Sequence, residues 1–360
     1  WRGPRWTLAL LLAALGMLGP FAIDTYLPAF SGIARQLGAT PVQMQQTLSV
    51  YLFAFAAMNL FHGALADSFG RRPVVLAALV VFTLASVGCA LSTTIGELIA
   101  FRGVQGLSAG AGMVISRAIV RDLFRPADAQ RMMSQITLFF GVAPAIAPMI
   151  GGWLFVHADW HSIFWLLALL GAALTLAMWR ALPESLHASQ VQSFHPAHLL
   201  RGYWQLGSSA RFLALSLASG VPFNGMFLYI LAAPVWLGEH LQLAPTQFFW
   251  HFALSIGGIM AGAAWSGRLA GQVPPQRQIR WGLTIMAATT AVNVVLNAAF
   301  APHVAWALIP VAVFAFGWAL MVPAVTLLLL DLVPDRRGMA SSVHSFIGSM
   351  ANGLVAGVLV

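Results

Sequence analysis

GALADSFGRRP, Gly63 to Pro73, is a short polar stretch between two long apolar runs. It sets one acid, Asp67, beside two arginines, Arg71 and Arg72. Gly63 and Gly70 permit close backbone approach and a tight reversal. Paired arginines in a short link between apolar runs mark the cytoplasmic side of a membrane. The rest of the chain can be placed outward from this loop.

Composition points to lipid as the solvent. Of 360 residues, 59% are hydrophobic and 8% charged, and mean hydropathy is +0.82; a soluble domain carries about 25% charged residues. The 13 Trp suit interfacial aromatic belts. The single cysteine, Cys89, rules out a disulfide within the chain. A net charge of +8 raises nucleic acid as a partner. The arginines are scattered in short links between apolar runs, which excludes that class.

A spanning helix needs about 20 apolar residues. On that scale the spans are expected at 7–30, 43–66, 74–94, 97–120, 132–155, 162–182, 211–237, 247–270, 280–300, 303–330 and 339–360. Arg2 and Arg5 before the first run imitate a signal peptide, but the run is too long for one. Pro20 and Pro28 are expected to bend it. Eleven spans put the termini on opposite sides, and the chain starts without Met and stops inside an apolar run. A twelfth span is therefore expected beyond Val360.

All 18 basic residues are Arg. With the amino terminus in the cytoplasm, fifteen lie in links on that side, one (Arg35) lies opposite, and Arg102 and Arg117 fall inside the fourth span. That asymmetry sets the orientation. The polar stretch 183–210 separates a half at 1–182 with six spans from one at 211–360 with five. Within this linker, His198–Leu206 spaces Leu199 with Tyr203 and Leu200 with Trp204 as a short helix on the membrane face would. The halves carry a faint repeat. GALAD at Gly63–Asp67 returns as GRLAG at Gly267–Gly271, without the acid. Parallel repeats of six spans, with a binding cavity between them, are a transporter plan.

Four stretches carry a family resemblance. Gly63–Pro73 is similar to the signature between the second and third spans of major facilitator superfamily transporters. Arg102-Gly-Val-Gln105-Gly106 resembles the family's R-x-x-Q-G signature. GVAPAIAPMIGG at Gly141–Gly152 looks like the signature of its drug antiporters. Asp24-Thr-Tyr-Leu-Pro28 and SRAIVRDLF at Ser116–Phe124 resemble the branch that confers bicyclomycin and chloramphenicol resistance (Bcr/CflA). The resemblance covers the whole chain. It implies an all-α polytopic membrane protein with the major facilitator fold, two six-helix halves of which the last helix is absent here, located in the bacterial inner membrane as a monomer.

Asp24 lies well inside a span, whereas the other nine acids fall in links or at span ends. A charge at the bilayer centre costs at least about 2.5 kcal/mol. Such an acid faces a cavity, is paired, or is neutral. Arg102 enters its span from the same side, so the two are expected to face each other; Asp24 would carry the proton and Arg102 would tune its affinity. The other reading is a static buried ion pair. Asp67, Gly63, Gly70, Arg71, Arg72 and Arg121 are expected to form a gate in which Asp67 pairs with arginine or caps a helix amino terminus. The alternative is positive-inside charge with a turn. Gly141, Pro144, Pro148, Gly151 and Gly152 read as a hinge in the fifth span, or as close packing through small residues. Tyr26, Tyr51, Gln105, Met226, Phe227 and Tyr229 are candidates to line the substrate cavity, against a plain packing role.

His157 and His161 in HADWH have ligand-like spacing but no HEXXH, and no metal is expected. There is no G-x-x-x-x-G-K-[ST] and no G-x-S-x-G, so no cofactor, no ATP-driven step and no enzyme are expected. The expected function is proton-coupled export of small-molecule drugs. The alternatives are a proton-coupled or facilitative metabolite transporter, and a non-transporting membrane sensor on the same scaffold.

Overall fold

A computed structural model describes residues 4–231, 236–237, 241–242 and 249–359, with their side chains apart from positions 140, 142–145, 227–228, 230–231, 249 and 352–359. The described residues form helices and no strands. In chain order these are α1 Arg5–Asp24, α2 Phe30–Gln36, α3 Pro41–Phe69, α4 Arg71–Leu91, α5 Ile95–Ala109, α6 Ala111–Leu123, α7 Pro126–His157, α8 His161–Ala181, α9 Pro196–Gly207, α10 Ala210–Leu231, α11 Phe249–Leu269, α12 Pro275–Ala299, α13 Val304–Asp331 and α14 Arg337–Leu359. With α1 and α2 joined, and α5 and α6, seven of the segments are long and apolar enough to cross a membrane. Part of the seventh expected span and the start of the eighth lie outside the described residues.

Helix ends follow from local chemistry. Thr40 and Gln43 form a capping box at α3, and Thr94 and Glu97 form one at α5. In the first span Pro20 is carried inside α1, while the helix stops at Asp24 and a 3₁₀ turn covers Leu27–Ala29. Pro28 explains the stop, because its ring would strike the carbonyl four residues back, that of Asp24, were the helix to continue. Pro28 thus makes Asp24 the last residue of α1.

The loop expected at Gly63–Pro73 is not a loop. Gly63 to Phe69 are the last turns of α3, Arg71 opens α4, and Gly70 alone makes the link. Gly70 sits at φ +98°, a conformation that L side chains rarely adopt.

The described chain forms two compact units: 1–123 with 142–205 and 333–346, and 124–141 with 206–332 and 347–360. In the first, α3 packs on α5, α4 on α8 and α5, and α1 on α6; in the second, α13 is the centre, packed by α11, α12 and α10. Close approach of α5 to α3 depends on Gly106, where a Cβ would collide with the Tyr51 carbonyl. Gly96 on the same helix has open space. Gly96→Ala is expected to leave the melting temperature unchanged or raise it, since Ala outranks Gly in helices by roughly 0.5–1 kcal/mol. Gly106→Ala should lower it by an overpacking cost of about 1–3 kcal/mol. A thermal-unfolding scan in detergent compares them, and equal melting temperatures would refute the contact.

Candidate functional site

Arg102 lies on α5 and is fully buried. Its guanidinium carbon is 4.1 Å from the centre of the Tyr51 ring and 4.8 Å from that of Tyr26, within cation–π range. Its Nη1 donates to Gln105 Oε1 at 2.6 Å and to the Ala22 carbonyl at 3.3 Å. Gln105 Nε2 in turn donates to Ser86 Oγ at 2.7 Å. Both tyrosine hydroxyls are satisfied: that of Tyr51 donates to the Gly19 carbonyl at 2.8 Å, and that of Tyr26 bonds Thr47 Oγ1 at 2.7 Å. Tyr26, Tyr51 and Gln105 therefore build the box around Arg102 from inside the packed first unit.

Asp24 is half-buried at the end of α1, two residues beyond the Ala22 carbonyl that Arg102 touches. Among the described residues its carboxylate takes part in no ion pair or hydrogen bond. No ion pair joins it to Arg102, whose guanidinium is held by two rings, an amide and a carbonyl. Arg102 Nε and Nη2 are buried with no partner. They are two donors a carboxylate would satisfy.

Asp67 is 1% exposed, near the end of α3. Its Oδ1 pairs with Arg71 Nη1 at 2.5 Å, one helical turn on. Its carboxylate also accepts the backbone N–H of Gly338 at 3.1 Å and of Met339 at 2.8 Å, in the first turn of α14. A carboxylate belongs at a helix amino terminus, where N–H groups lack partners and the dipole is positive. Gly63 admits this approach, because a Cβ there would strike the Gly338 carbonyl. Its N–H donates to Ser342 Oγ at 2.8 Å.

The arginines extend the network. Arg71 Nε meets Asp122 Oδ2 at 3.1 Å, and Asp122 Oδ1 accepts from Arg337 Nη1 at 3.0 Å. Glu184 accepts the backbone N–H groups of Arg71 and Arg72 at 2.9 and 3.1 Å, capping α4. Arg72 Nη2 donates to the Trp179 carbonyl at 2.6 Å. Arg121 stands beside Asp122 at the end of α6. Asp122, Glu184, Arg337 and Ser342 were not legible as site residues. They lie 51 to 279 positions from their partners, and nothing in their local sequence marks them.

The linker helix α9 docks on this network. Tyr203 OH donates to the Leu60 carbonyl at 2.8 Å. Burial, and then the Asp67 charge, push the Tyr203 phenol up to about 12, so it stays a donor at physiological pH. Of the two pairs spaced along this helix, Leu200 and Trp204 are 70% and 77% exposed, whereas Leu199 and Tyr203 are half-buried.

The glycines of α7 differ. At Gly151 a Cβ would collide with the Thr25 carbonyl, the residue after Asp24, whereas at Gly152 it would make only an ordinary contact with Pro28, at 3.8 Å. The close approach expected at both belongs to Gly151. Gly141 has Ile259 Cγ2 at 3.2 Å from a built Cβ. Pro148 is half-buried; the Pro144 and Phe227 side chains lie outside the described residues. Met226 is buried, and the Tyr229 hydroxyl accepts from Asn293 Nδ2 at 3.1 Å with Trp236 packed on its ring.

In the second unit the degenerate repeat sits at the α11–α12 link, where Gly271 has φ +80°. Here Gln130 Nε2, from the start of α7, donates to Gln278 Oε1 at 2.7 Å, and Arg131 Nη2 to the Ala270 carbonyl at 3.1 Å. The acid's place in this copy is Gly271, and a neutral amide pair lies beside the link.

Residues 10–356 match the Major Facilitator Superfamily model. The chain is 31% identical over 277 residues to a bicyclomycin resistance protein homolog of Haemophilus influenzae, covering 77% of this chain and 69% of that protein. It is 30% identical over 357 residues to the MFS-type transporter YdgK of Bacillus subtilis (98% and 88%). It is 27% identical over 352 residues to multidrug resistance protein D of Escherichia coli (97% and 87%). Among solved structures it is similar to the human organic anion transporter MFSD10, with TM-score 0.75, 17% identity, and 99% and 93% coverage. It is also similar to the proton:xylose symporter XylE, with TM-score 0.76, 13% identity, and 99% and 88% coverage. With seven segments among the described residues long and apolar enough to cross a membrane, a charged network on the stretch that carries the family signature, and a family match over nearly its whole length, this chain belongs to the Major Facilitator Superfamily.

Proposed function

We propose that this chain exports drugs across the bacterial inner membrane in exchange for protons, as a monomer with its amino terminus in the cytoplasm. Its relatives bear the names of bicyclomycin and multidrug resistance proteins, which supports drugs as the substrate class. The observation that carries proton coupling is Asp24, an acid inside a membrane span that has no ion-pair or hydrogen-bond partner among the described residues. A carboxyl with no fixed partner is free to alternate between protonated and ionised forms.

In this reading Asp24 takes a proton from the outside, which displaces the drug, and yields it to the cytoplasm, which renews the site. Drug and proton compete for one carboxyl, which is sufficient for antiport. Arg102 tunes the exchange with its two unused donors. Asp67, Gly63, Gly70, Arg71, Arg72 and Arg121 form the cytoplasmic gate. The halves at 1–182 and 211–360 move about the linker at 183–210, with α7 as the hinge through Gly141, Pro144, Pro148, Gly151 and Gly152. Met226, Phe227 and Tyr229 contribute to the drug surface of the second half, and Tyr26, Tyr51 and Gln105 to that of the first.

Asp24→Asn mimics the protonated carboxyl permanently. Rhodamine 6G added to the detergent-solubilised parent should release protons, and binding should weaken as pH falls because protons compete for the carboxylate. Asp24→Asn should release none and bind weakly at every pH. Proton release equal to the parent's would place the carrier elsewhere.

Asp67→Asn keeps the size of the side chain but removes the charge that holds Arg71 and the start of α14. At matched membrane abundance, rhodamine 6G efflux should fall by about tenfold or more, in line with the cost of breaking a buried pair. Parental efflux rates would reject the gate.

Gly151→Ala forces Thr25, and with it Asp24, to shift, whereas Gly152→Ala meets only ordinary contact. Export should be lost in the first and kept in the second. Normal export by both would show that the Thr25 contact does not matter.

A further inference from the structure

Arg117 is a charge that the proposed cycle leaves unused. It lies on α6, within a segment apolar enough to span the membrane, where a guanidinium is costly unless something offsets it. Its Nη1 donates to Ser345 Oγ at 2.9 Å. A hydroxyl is a hydrogen-bond partner but not a counter-ion. Among the described residues no carboxylate lies within ion-pair distance of it.

The nearby acids are committed. Asp67 and Asp122 are held by Arg71 and Arg337, two negative charges against two positive. Glu184 is spent on the α4 amino terminus. Asp24 is out of reach. Arg102 touches the Ala22 carbonyl, and Arg117 stands fifteen residues further along the same span (117 − 102), about 22 Å of helix rise. Among the described residues Arg117 is therefore left without a carboxylate counter-ion.

The groups beside Arg117 do not neutralise it. His344 precedes Ser345 on α14, is 7% exposed, and its Nδ1 is buried without a partner. The Ser341 hydroxyl is used on the Val114 carbonyl at 2.7 Å, and that of Ser342 accepts from Gly63. A guanidinium, a hydroxyl and an unpartnered imidazole nitrogen thus stand together with no negative group among them. An oxyanion supplies what is missing, because it accepts from the planar fork of an arginine and offsets its charge.

We propose that Arg117, with Ser345 and His344, binds the carboxylate or other oxyanion group of an amphiphilic substrate. The inference rests on reading the chain as a drug exporter. It adds organic anions to the drugs handled, at a site separate from Asp24.

Fluorescence polarisation on the purified full chain in detergent tests this with carboxyfluorescein as anion and rhodamine 6G as cation. Arg117→Gln should weaken carboxyfluorescein binding by about tenfold or more, as loss of a desolvated charge partner does. Rhodamine 6G binding should change by less than about twofold on the same scale. Arg117→Lys should restore part of the anion affinity, since it returns the charge without the fork. The proposal is overturned if the parent does not bind carboxyfluorescein, if Arg117→Gln binds it as the parent does, or if both dyes weaken together. Binding is read without transport. Arg117-dependent binding by a protein that exports nothing would therefore sink the exporter reading and leave this one standing.

Discussion

The carboxylate of Asp67 is the constraint on which the first unit depends. It is almost fully buried, and a bare charge in that position is untenable. Three groups make it tolerable: Arg71 one turn away and the N–H groups of Gly338 and Met339; Asp122, also negative, shares Arg71 and is offset in turn by Arg337. The first-turn N–H groups belong to a helix 271 positions away. One side chain therefore ties α3 to α14. The close approach also demands a residue without a side chain at Gly63. Removing any member strands the others, because a buried pair that loses one partner leaves the other uncompensated.

Arg102 solves the same problem differently. It is fully buried with no carboxylate, and two aromatic faces, an amide oxygen and a backbone carbonyl hold it. Each is weaker than an ion pair, and two nitrogens remain unsatisfied. A cation held this way keeps unused capacity for a carboxylate, whereas a cation in a closed salt bridge has none. Asp24, placed at the end of α1 by Pro28, is the complementary case, an acid free of fixed partners. In the proposed exchange both partners stay available and neither is locked.

The second unit carries the same stretch without its acid. There Gln130 and Gln278 share a hydrogen bond, Gln130 Nε2 also lies 3.3 Å from the Ser266 carbonyl, and Arg131 holds the carbonyl of Ala270. Amides cost less to bury than ions and need no counter-charge, so this link is closed without the wider network that Asp67 requires. The two copies keep the turn, each with a glycine at positive φ, but hold it with different chemistry.

The sequence alone determined the class of the protein. Low charge, long apolar runs and arginines placed mostly in links leave only a polytopic helical membrane protein, because backbone polar groups in lipid must be satisfied within helices. It also marked Asp24, Arg102, Asp67 and the Gly63–Pro73 stretch, since ionisable residues inside apolar runs stand out without coordinates. Tertiary structure decided the partners. Whether Arg102 meets a carboxylate or two rings, whether Gly151 or Gly152 touches the backbone near Asp24, and that Asp122, Arg337 and Ser342 complete the Asp67 network are all set by contacts between segments far apart in the chain. No local pattern encodes them, because charge, hydrogen bonding and close packing act over a few ångströms of space whatever the separation in sequence.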